Sequence, residues 1–282
     1  FPEDAETRRA ISSWLPQELL EHARVRSYGD AERMLGPDEP CDELHVLSAG
    51  QARMLKPLAS GELRHVGILT RGDTFGELAL LGDGTEHVEI RCSGSCEVLA
   101  CDRSRVREAM RRSADLTRAL RKAYRDRLQA IMLRVCGLFD LLGADETRAF
   151  LQHCRPLRRL RGQVVIREGD PAGGFYLVLL GRLTVSRRHE GASVVLGTLR
   201  DGDFFGEISL VYERPSMATV TADGFTQLLH MAAGEFFRFV TEHPELLELL
   251  VREAERRERD NQAILAGKAS YEDGHVVYLL DK

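Results

Sequence analysis

The feature that most constrains this chain is a long internal repeat. Residues 71–80 read RGDTFGELAL and residues 201–210 read DGDFFGEISL, an offset of 130 positions. The segments HVLSAGQARM and YLVLLGRLTV also repeat, at an offset of 131. Solenoid repeats have periods of about 20–50 residues, so a period this long corresponds to one domain per repeat. The sequence therefore predicts a duplicated domain, with one copy at 1–135 and the other at 136–282.

Each copy combines short strands with a helical segment that follows them. Apolar residues at steps of three and four across 104–135 predict one helix or two abutting helices, and 244–265 shows the same pattern. The second copy also contains strand-like runs separated by glycine-containing turns. These runs are Val164–Arg167, Phe175–Leu180, Arg182–Arg187, Ser193–Leu199 and Met217–Ala222. The predicted fold class is mainly β with α, a β-barrel-like unit followed by helices in each copy.

Composition excludes several classes of protein. Hydrophobic residues make up 43% of the chain, charged residues make up 29%, and the net charge is -5. These values exclude bulk disorder, which requires few apolar residues and a high net charge. A nucleic-acid-binding domain is usually strongly basic. The segment 103–134 is rich in Arg, but its apolar spacing favours a helix with one solvated face, so a nucleic-acid partner is disfavoured.

The sequence also predicts a location and a redox state. The longest apolar run, Phe175–Leu180, is far shorter than the roughly 18 residues of a membrane-spanning helix. Glu3, Asp4 and Glu6 lie where a secretory signal would carry basic and then apolar residues. We therefore expect a cytoplasmic protein without a membrane partner. All six cysteines, including Cys92 and Cys96, are then expected to be reduced.

The repeated FGE segment carries the chemistry. Each copy follows a Gly-Asp turn and precedes a short apolar stretch. Glycine lets the backbone approach a ligand closely, and a short helix beginning there directs free N–H groups at an anion. A Glu beside those N–H groups is suited to accept hydrogen bonds from a sugar hydroxyl instead. Phosphate and ribose hydroxyl together indicate a nucleotide, and the occurrence of two copies argues against a chance match.

Both copies resemble the cyclic nucleotide-binding domain, and their tandem arrangement resembles the regulatory subunits of cyclic-nucleotide-dependent protein kinases. The resemblance covers about residues 16–260. It rests on FGELALL from Phe75 and FGEISLV from Phe205, which match the first half of the family's phosphate-binding cassette. It implies two jelly-roll β-barrels with flanking helices, a long connecting helix and a non-enzymatic regulatory role. The chain contains no HExxH or GxSxG motif, so neither a metal site nor a catalytic site is expected.

The resemblance also implies roles for individual residues. Glu77 and Glu207 would bind the ribose 2′-hydroxyl, and Thr219 would contact the base. Gly76, Gly206 and the backbone of the short helices would face the cyclic phosphate. The other ligand-binding positions of the two cassettes are Leu78, Ala79, Ile208, Ser209 and Met217.

The second half of each cassette departs from the family. Where the family has an Arg that pairs with the phosphate, the first copy has Glu86 and the second has Ser216. Glu86 would repel the phosphate, and Glu89 replaces the family's Thr, so we expect the first copy not to bind cyclic AMP or cyclic GMP. Ser216 adds no repulsion, and Arg214 is expected to reach the phosphate. Cyclic AMP or cyclic GMP is therefore expected in the second domain only.

The sequence leaves three functions open. The first is a regulatory sensor in which a ligand favours the second domain and moves the helices that follow it. The second is a degenerate tandem domain that serves as a scaffold for a protein partner, with turn glycines and with Glu residues that only cap helices. The third is a pocket adapted to a different ligand, such as a nucleoside.

Tyr271 and Tyr278 either cap a base or pack on the second domain, and Arg8–Ser12 is expected to begin an N-terminal helix.

Overall fold

A computed structural model describes residues 15–37, 39–58, 61–272 and 274–279. Contacts divide the chain into two compact units, Phe1–Val135 and Cys136–Lys282. The helix predicted from Arg8–Ser12 lies outside the described residues. Within the described ranges, no helix combines the length and the apolar character needed to cross a membrane.

The first unit is built on an antiparallel sheet in the order β1-β6-β3-β4, with β2 added to β6 and β5 added to β3. The strands are β1 (Arg24–Tyr28), β2 (Arg33–Leu35), β3 (Glu43–Pro57), β4 (Leu63–Leu69), β5 (Thr74–Phe75) and β6 (Glu89–Asp102). Its helices are α1 (Gln17–Glu21), α2 (Glu77–Leu81), α3 (Arg103–Arg112) and α4 (Ala114–Val135). The segment 104–135 thus forms two abutting helices, one of the two predicted alternatives.

Packing fixes the long helix α4 in the first unit. Its buried residues Leu116 and Leu120 share a cluster with Val46 of β3 and Leu99 of β6. The Ser113 hydroxyl accepts a hydrogen bond from the Leu116 N–H at 3.1 Å, which satisfies a free donor at the start of the helix. The apolar face that the sequence pattern predicts is therefore the face buried within this unit.

The second unit contains two antiparallel sheets, in the orders β11-β10-β13-β8 and β12-β9-β14-β7. The strands are β7 (Arg155–Arg159), β8 (Val164–Ile166), β9 (Gly174–Leu180), β10 (Leu183–His189), β11 (Ala192–Leu199), β12 (Phe204–Phe205), β13 (Thr219–Ala222) and β14 (Thr226–Ala232). A 3-10 turn at Gly137–Leu141 precedes the helices α5 (Ala144–Gln152), α6 (Glu207–Val211), α7 (Ala233–Glu242) and α8 (Pro244–Leu265). A hairpin of β15 (Ala269–Glu272) and β16 (His275–Tyr278) follows. The predicted mainly-β class with helices is confirmed.

Aromatic packing holds the helices of the second unit against its sheets. Phe150 makes edge-to-face contacts with Phe175 and Phe239, and Phe175 stacks on Phe236 at 5.2 Å. Edge-to-face and offset-stacked rings are the preferred geometries of aromatic pairs. Helix α8 buries Leu246, Leu250 and Ala254, which fall on one face at steps of four.

The C-terminal tail packs on its own unit. The Tyr271 hydroxyl accepts a hydrogen bond from the Thr198 N–H at 2.9 Å, and the Tyr278 hydroxyl donates to Asp260 Oδ1 at 2.6 Å. Of the two predicted roles for these tyrosines, the structure shows the packing role.

The expectation of six free thiols is wrong for one pair. Cys92 and Cys96 form a disulfide within β6. The intervening Gly94 has a φ of 83°, and the pairing of β6 with β3 is irregular at this point. The resulting bulge brings the two sulfurs together, which the sequence spacing alone did not indicate.

Candidate ligand-binding site

The FGE segment forms the same strand-to-helix turn in both units. Gly76 precedes α2 with a φ of 89°, and Gly206 precedes α6 with a φ of 91°. A Cβ atom at Gly76 would lie 2.5 Å from the Glu43 carbonyl oxygen, and one at Gly206 would lie 2.4 Å from that of Gly174. Both the backbone conformation and the lack of space therefore require glycine.

The Glu of the first FGE segment is buried against an arginine of α4. Glu77 is 1% exposed, and its Oε1 accepts a hydrogen bond from Arg127 Nε at 2.9 Å. Arg127 Nη2 donates to the Thr74 carbonyl oxygen at 2.6 Å, and Nη1 lies 2.7 Å from Met54 Sδ. The guanidinium supplies the charge and the donors that a buried carboxylate needs.

The second unit repeats this arrangement. Glu207 is 1% exposed, and its Oε1 lies 2.9 Å from Arg257 Nη1 on α8. Arg257 also donates from Nη1 to the Phe204 carbonyl oxygen at 2.7 Å and from Nε to Glu253 Oε1 at 3.0 Å. Burial raises the pKa of Glu207, and the charge of Arg257 opposes that rise. In each unit, an arginine at the equivalent position of the long helix thus stabilises the buried Glu of the FGE segment.

Sequence reasoning missed both arginines, although a signal was present. Arg127 and Arg257 are 130 positions apart, the same offset as the FGE segments, and each follows its Glu by 50 positions. The alternative in which the Glu residues cap the short helices stays a prediction, since both lie in the first turn of those helices. The N-cap residue of each short helix is the glycine, without a side-chain cap, and the Glu residues pair with the arginines.

Glu86 occupies the cassette position at which the family carries Arg. It is 2% exposed, and its Oε1 accepts a hydrogen bond from the His87 N–H at 3.0 Å. Burial, and then the charge of Glu77, raise the pKa of Glu86 to about 7. Glu89, at the family's Thr position, is also buried and forms an ion pair with Arg91. The first cassette therefore carries buried acids where a phosphate would need donors and positive charge.

The second cassette carries no acid at the corresponding position. Ser216 is buried, its N–H donates to the Asp170 carbonyl oxygen at 2.8 Å, and its own carbonyl accepts from the Gly169 N–H at 2.7 Å. Thr219 Oγ1 accepts a hydrogen bond from the Glu168 N–H at 3.1 Å. The backbone of this loop is thus held in place independently of the Ser216 side chain.

The expected phosphate role of Arg214 is corrected by the structure. Its Nη2 lies 2.6 Å from Glu258 Oε1 on α8, and its guanidinium lies 4.6 Å from the centroid of the Tyr212 ring. An arginine held by a carboxylate and an aromatic face is not available to a phosphate without losing both contacts.

The remaining predicted residues lie on the short helices or in the loop beside them. Leu78 and Ala79 are buried in α2, Ile208 and Ser209 lie in α6, and Met217 precedes β13. Each short helix is joined through its backbone to a neighbouring arginine: Arg103 Nη2 donates to the Ala79 carbonyl oxygen, and the Arg214 N–H donates to that of Ser209. Across the described ranges, no cluster of His, Cys, Asp and Glu is suited to hold a metal ion.

Comparison with known proteins identifies the family. The cyclic nucleotide-binding domain family matches residues 25–113 and 157–243. The chain belongs to this family and contains two copies of its domain, which confirms the predicted resemblance. The matched domain is a ligand-binding domain, and its relatives include kinase regulatory subunits, so this part of the chain is non-catalytic.

Several curated relatives and a solved structure are similar to this chain. The chain is 33% identical over 156 residues to a cAMP-dependent protein kinase regulatory subunit of Mycosarcoma maydis, covering 55% of this chain and 28% of that protein. It is 27% identical over 222 residues to the cAMP-dependent protein kinase regulatory subunit of Yarrowia lipolytica, covering 75% of this chain and 55% of that protein. The solved structure of cAMP-bound PfPKA-R (141-441) is 21% identical to this chain, with a TM-score of 0.43. The match covers 94% of this chain and 93% of that one. The chain thus spans from about a quarter to about half of these curated relatives.

Proposed function

We propose that the chain is the ligand-binding part of a regulatory protein in which cyclic nucleotide binding favours the second domain. The observation that carries this proposal is the contrast between Glu86 and Ser216 at equivalent cassette positions. Glu86 is a buried acid beside Glu77, and a cyclic phosphate brought to it would meet negative charge without a compensating donor. Ser216 leaves the second pocket neutral at that position.

The Arg257–Glu207 pair links this pocket to α8. A ribose hydroxyl that donates to Glu207 shares its carboxylate with Arg257, which is bonded to Oε1, so ligand binding and helix position are coupled. A ligand that binds the two helix positions with different affinity shifts the population between them. This coupling is the proposed route by which ligand binding in the pocket changes the position of α8.

We propose a protein partner as the recipient of this signal. Several relatives are named as regulatory subunits of cAMP-dependent protein kinase, and another is cGMP-dependent protein kinase 2. A kinase catalytic domain is therefore the class of partner that we propose, and cyclic AMP or cyclic GMP is the proposed ligand. A cytoplasmic location remains a prediction.

Titration calorimetry of the full chain with cyclic AMP and with cyclic GMP tests the ligand and its site. We expect one binding site, lost in Glu207→Gln and retained in the matched variant Glu77→Gln. Loss of binding in Glu77→Gln alone would contradict the preference for the second domain.

A protein-interaction scaffold is the second candidate. It is favoured by the fact that arginines already occupy Oε1 of both cassette Glu residues. If the folded wild-type chain shows no heat with either cyclic nucleotide at millimolar concentration, the scaffold replaces the sensor as the proposed function.

A further inference from the structure

Two buried acids of the first cassette each have one oxygen without a hydrogen-bond partner among the described residues. Glu77 is 1% exposed and Glu86 is 2% exposed, and the unpartnered atom is Oε2 in both. Their other oxygens accept hydrogen bonds, from Arg127 Nε in the first case and from the His87 N–H in the second. Buried polar atoms without partners are rare in native proteins, so this part of the cassette calls for an explanation.

The second cassette lacks this feature. In the described part of the second unit, the buried side-chain atom without a partner is Arg214 Nε, a donor held beside α8. Glu207 has no unpartnered buried oxygen there, and Ser216 stands where the first copy has its second acid. The pair of incompletely bonded acids is thus specific to the first copy and is not a consequence of the shared fold.

The two acids have one positive charge between them. When both are ionised they carry two negative charges, and Arg127 offsets one of these. Burial, and then the charge of Glu77, raise the pKa of Glu86 to about 7, so near neutral pH a proton on Glu86 takes the place of a second cation. A water molecule would supply hydrogen-bond donors to these oxygens but no charge. A monovalent cation that carries its own donors would supply both.

The other polar groups around the two acids do not supply this charge. His87 faces Asp83 at 3.4 Å, and Arg91 forms an ion pair with Glu89, so both basic groups already have acidic neighbours. Burial raises the pKa of the Cys41 thiol to about 11, so this neighbour stays neutral. The cassette thus has room in its charge balance for one added positive charge, and for no more than one.

We propose that the first cassette binds the primary ammonium group of a small organic amine, which donates hydrogen bonds to Glu77 Oε2 and to Glu86 Oε2. Binding exchanges the proton of Glu86, which is released to solvent, for the ammonium, so the pocket is electrically balanced before and after. Each acid offers one oxygen. This suits a compact ammonium with three N–H donors better than a guanidinium, whose planar fork matches both oxygens of one carboxylate. The inference goes beyond the proposed function and does not depend on cyclic nucleotide binding by the second domain.

Calorimetry of the full chain with methylammonium tests the proposal. We expect one site, with an affinity about tenfold weaker at about pH 6 than at about pH 8, because at the lower pH the ammonium must displace the proton of Glu86. Titrations at the lower pH in buffers of different ionisation enthalpy measure the protons released. We expect about one proton for each amine bound.

Two further cations separate an ammonium from other sources of positive charge. Tetramethylammonium has the same charge but no N–H donor, and we expect it not to bind. Potassium ion has the charge without hydrogen-bond donors, and we expect it not to displace methylammonium at equal concentration. Displacement by potassium would show that the cassette takes an inorganic cation, which would overturn the assignment of an amine.

A matched pair of variants locates the contact. Glu86→Gln retains the shape of the side chain but neither its charge nor its titration, so it should abolish both methylammonium binding and proton release. Glu108→Gln makes the same change at an exposed acid of α3, which pairs with Arg112 on its own helix, and should leave both unchanged. Melting curves confirm that the variants fold. The comparison of methylammonium with tetramethylammonium uses the wild-type chain and remains decisive if Glu86→Gln does not fold.

Several results would overturn the proposal. They are the absence of methylammonium binding at millimolar concentration, equal affinity for methylammonium and tetramethylammonium, equal affinity at the two pH values, and binding that persists in Glu86→Gln. The first of these would leave the proton on Glu86 as the whole account of the two acids. Failure here is distinct from failure of the proposed function, since cyclic nucleotide binding is measured in a separate titration and depends on Glu207.

Discussion

Arg127 Nε donates to Glu77 Oε1 at 2.9 Å across 50 positions of sequence, and Arg257 makes the corresponding contact with Glu207 at the same distance. In each unit the cassette and the helix that follows it are joined by one buried ion pair. A buried charge without its partner is costly. The pair therefore makes the position of the helix sensitive to whatever else binds the Glu.

Removing the arginine should destabilise the second unit. Arg257→Met leaves Glu207 buried without a charged partner, and breaking such a pair costs about 3 kcal/mol. We expect a lower melting temperature for the second unit in calorimetry and a smaller effect from the conservative Arg257→Lys, which retains the charge but not the planar donor geometry.

A double-mutant cycle provides the control for this prediction. In Arg257→Met combined with Glu207→Leu, both charges are gone, and the double variant should be less destabilised than the sum of the two single variants. Additive losses would show that the two residues do not interact as the structure indicates.

The glycine of the second FGE segment should tolerate no side chain. Gly206→Ala combines a left-handed backbone with a Cβ atom 2.4 Å from the Gly174 carbonyl oxygen. Gly191→Ala is the matched control, because Gly191 has a φ of 83° and no atom lies within 4 Å of the position that its Cβ would take. The control should lose about 1 kcal/mol, the cost of left-handed backbone alone. Chemical denaturation should show a larger loss for Gly206→Ala, and equal losses would contradict the steric argument.

Much of this architecture was predictable because local residue patterns determine it. The apolar spacing of 244–265 predicted α8 with its observed bounds, and the run 175–180 predicted most of β9. Strand β14 (Thr226–Ala232) was missed, because its sequence TQLLHMA does not alternate regularly between polar and apolar residues. Local patterns thus identified the elements with the clearest periodicity.

The site was only partly predictable, because its decisive contacts are tertiary. The repeat and the FGE motif identified Glu77 and Glu207, and the departure at Glu86 was visible in the sequence. No local sequence pattern indicates that an arginine 50 positions later forms an ion pair with each Glu. Similarly, Arg214 is close in sequence to the cassette, yet the structure pairs it with Glu258 of α8. The closeness of Arg214 to the cassette in sequence therefore did not predict which group its side chain contacts.

The stability of the first unit should fall as the pH rises through the range in which Glu86 titrates. The pKa of Glu86 is raised from 4.5 to about 7, so the folded state retains a proton that the unfolded state has released. The stabilisation is complete below about pH 4.5 and is lost as the pH approaches about 7. The shift corresponds to about 3 kcal/mol at most.

Glu86→Gln is the matched variant for this pH dependence. Glutamine has nearly the same shape and does not titrate, so the unfolding free energy of the variant should vary less between about pH 4.5 and 7 and exceed that of the wild type at about pH 8. The close approach of His45, whose Nε2 lies 3.3 Å from Glu43 Oε2, holds the pKa of Glu43 at about 2, which places its titration below this window. Parallel pH profiles for wild type and variant would show that Glu86 is ionised throughout.

Restoring the family's arginine in the second cassette should strengthen cyclic nucleotide binding. The Ser216 backbone is held by hydrogen bonds to Asp170 and Gly169, so Ser216→Arg changes the side chain while the loop retains its anchors. A hydrogen bond to a charged group contributes about 1.5–3 kcal/mol. We therefore expect affinity for cyclic AMP or cyclic GMP to rise about tenfold to a hundredfold in calorimetry.

The controls for Ser216→Arg distinguish the phosphate contact from a general effect of added charge. The gain should disappear when Glu207→Ala is added, because the ribose then has no anchor. The equivalent Glu86→Arg in the first cassette should gain less, because Glu89 is buried there in an ion pair with Arg91 where the family has Thr. A folded Ser216→Arg variant without cyclic nucleotide binding would show that the second pocket has diverged beyond its missing arginine, and the scaffold would then be the better account of this domain.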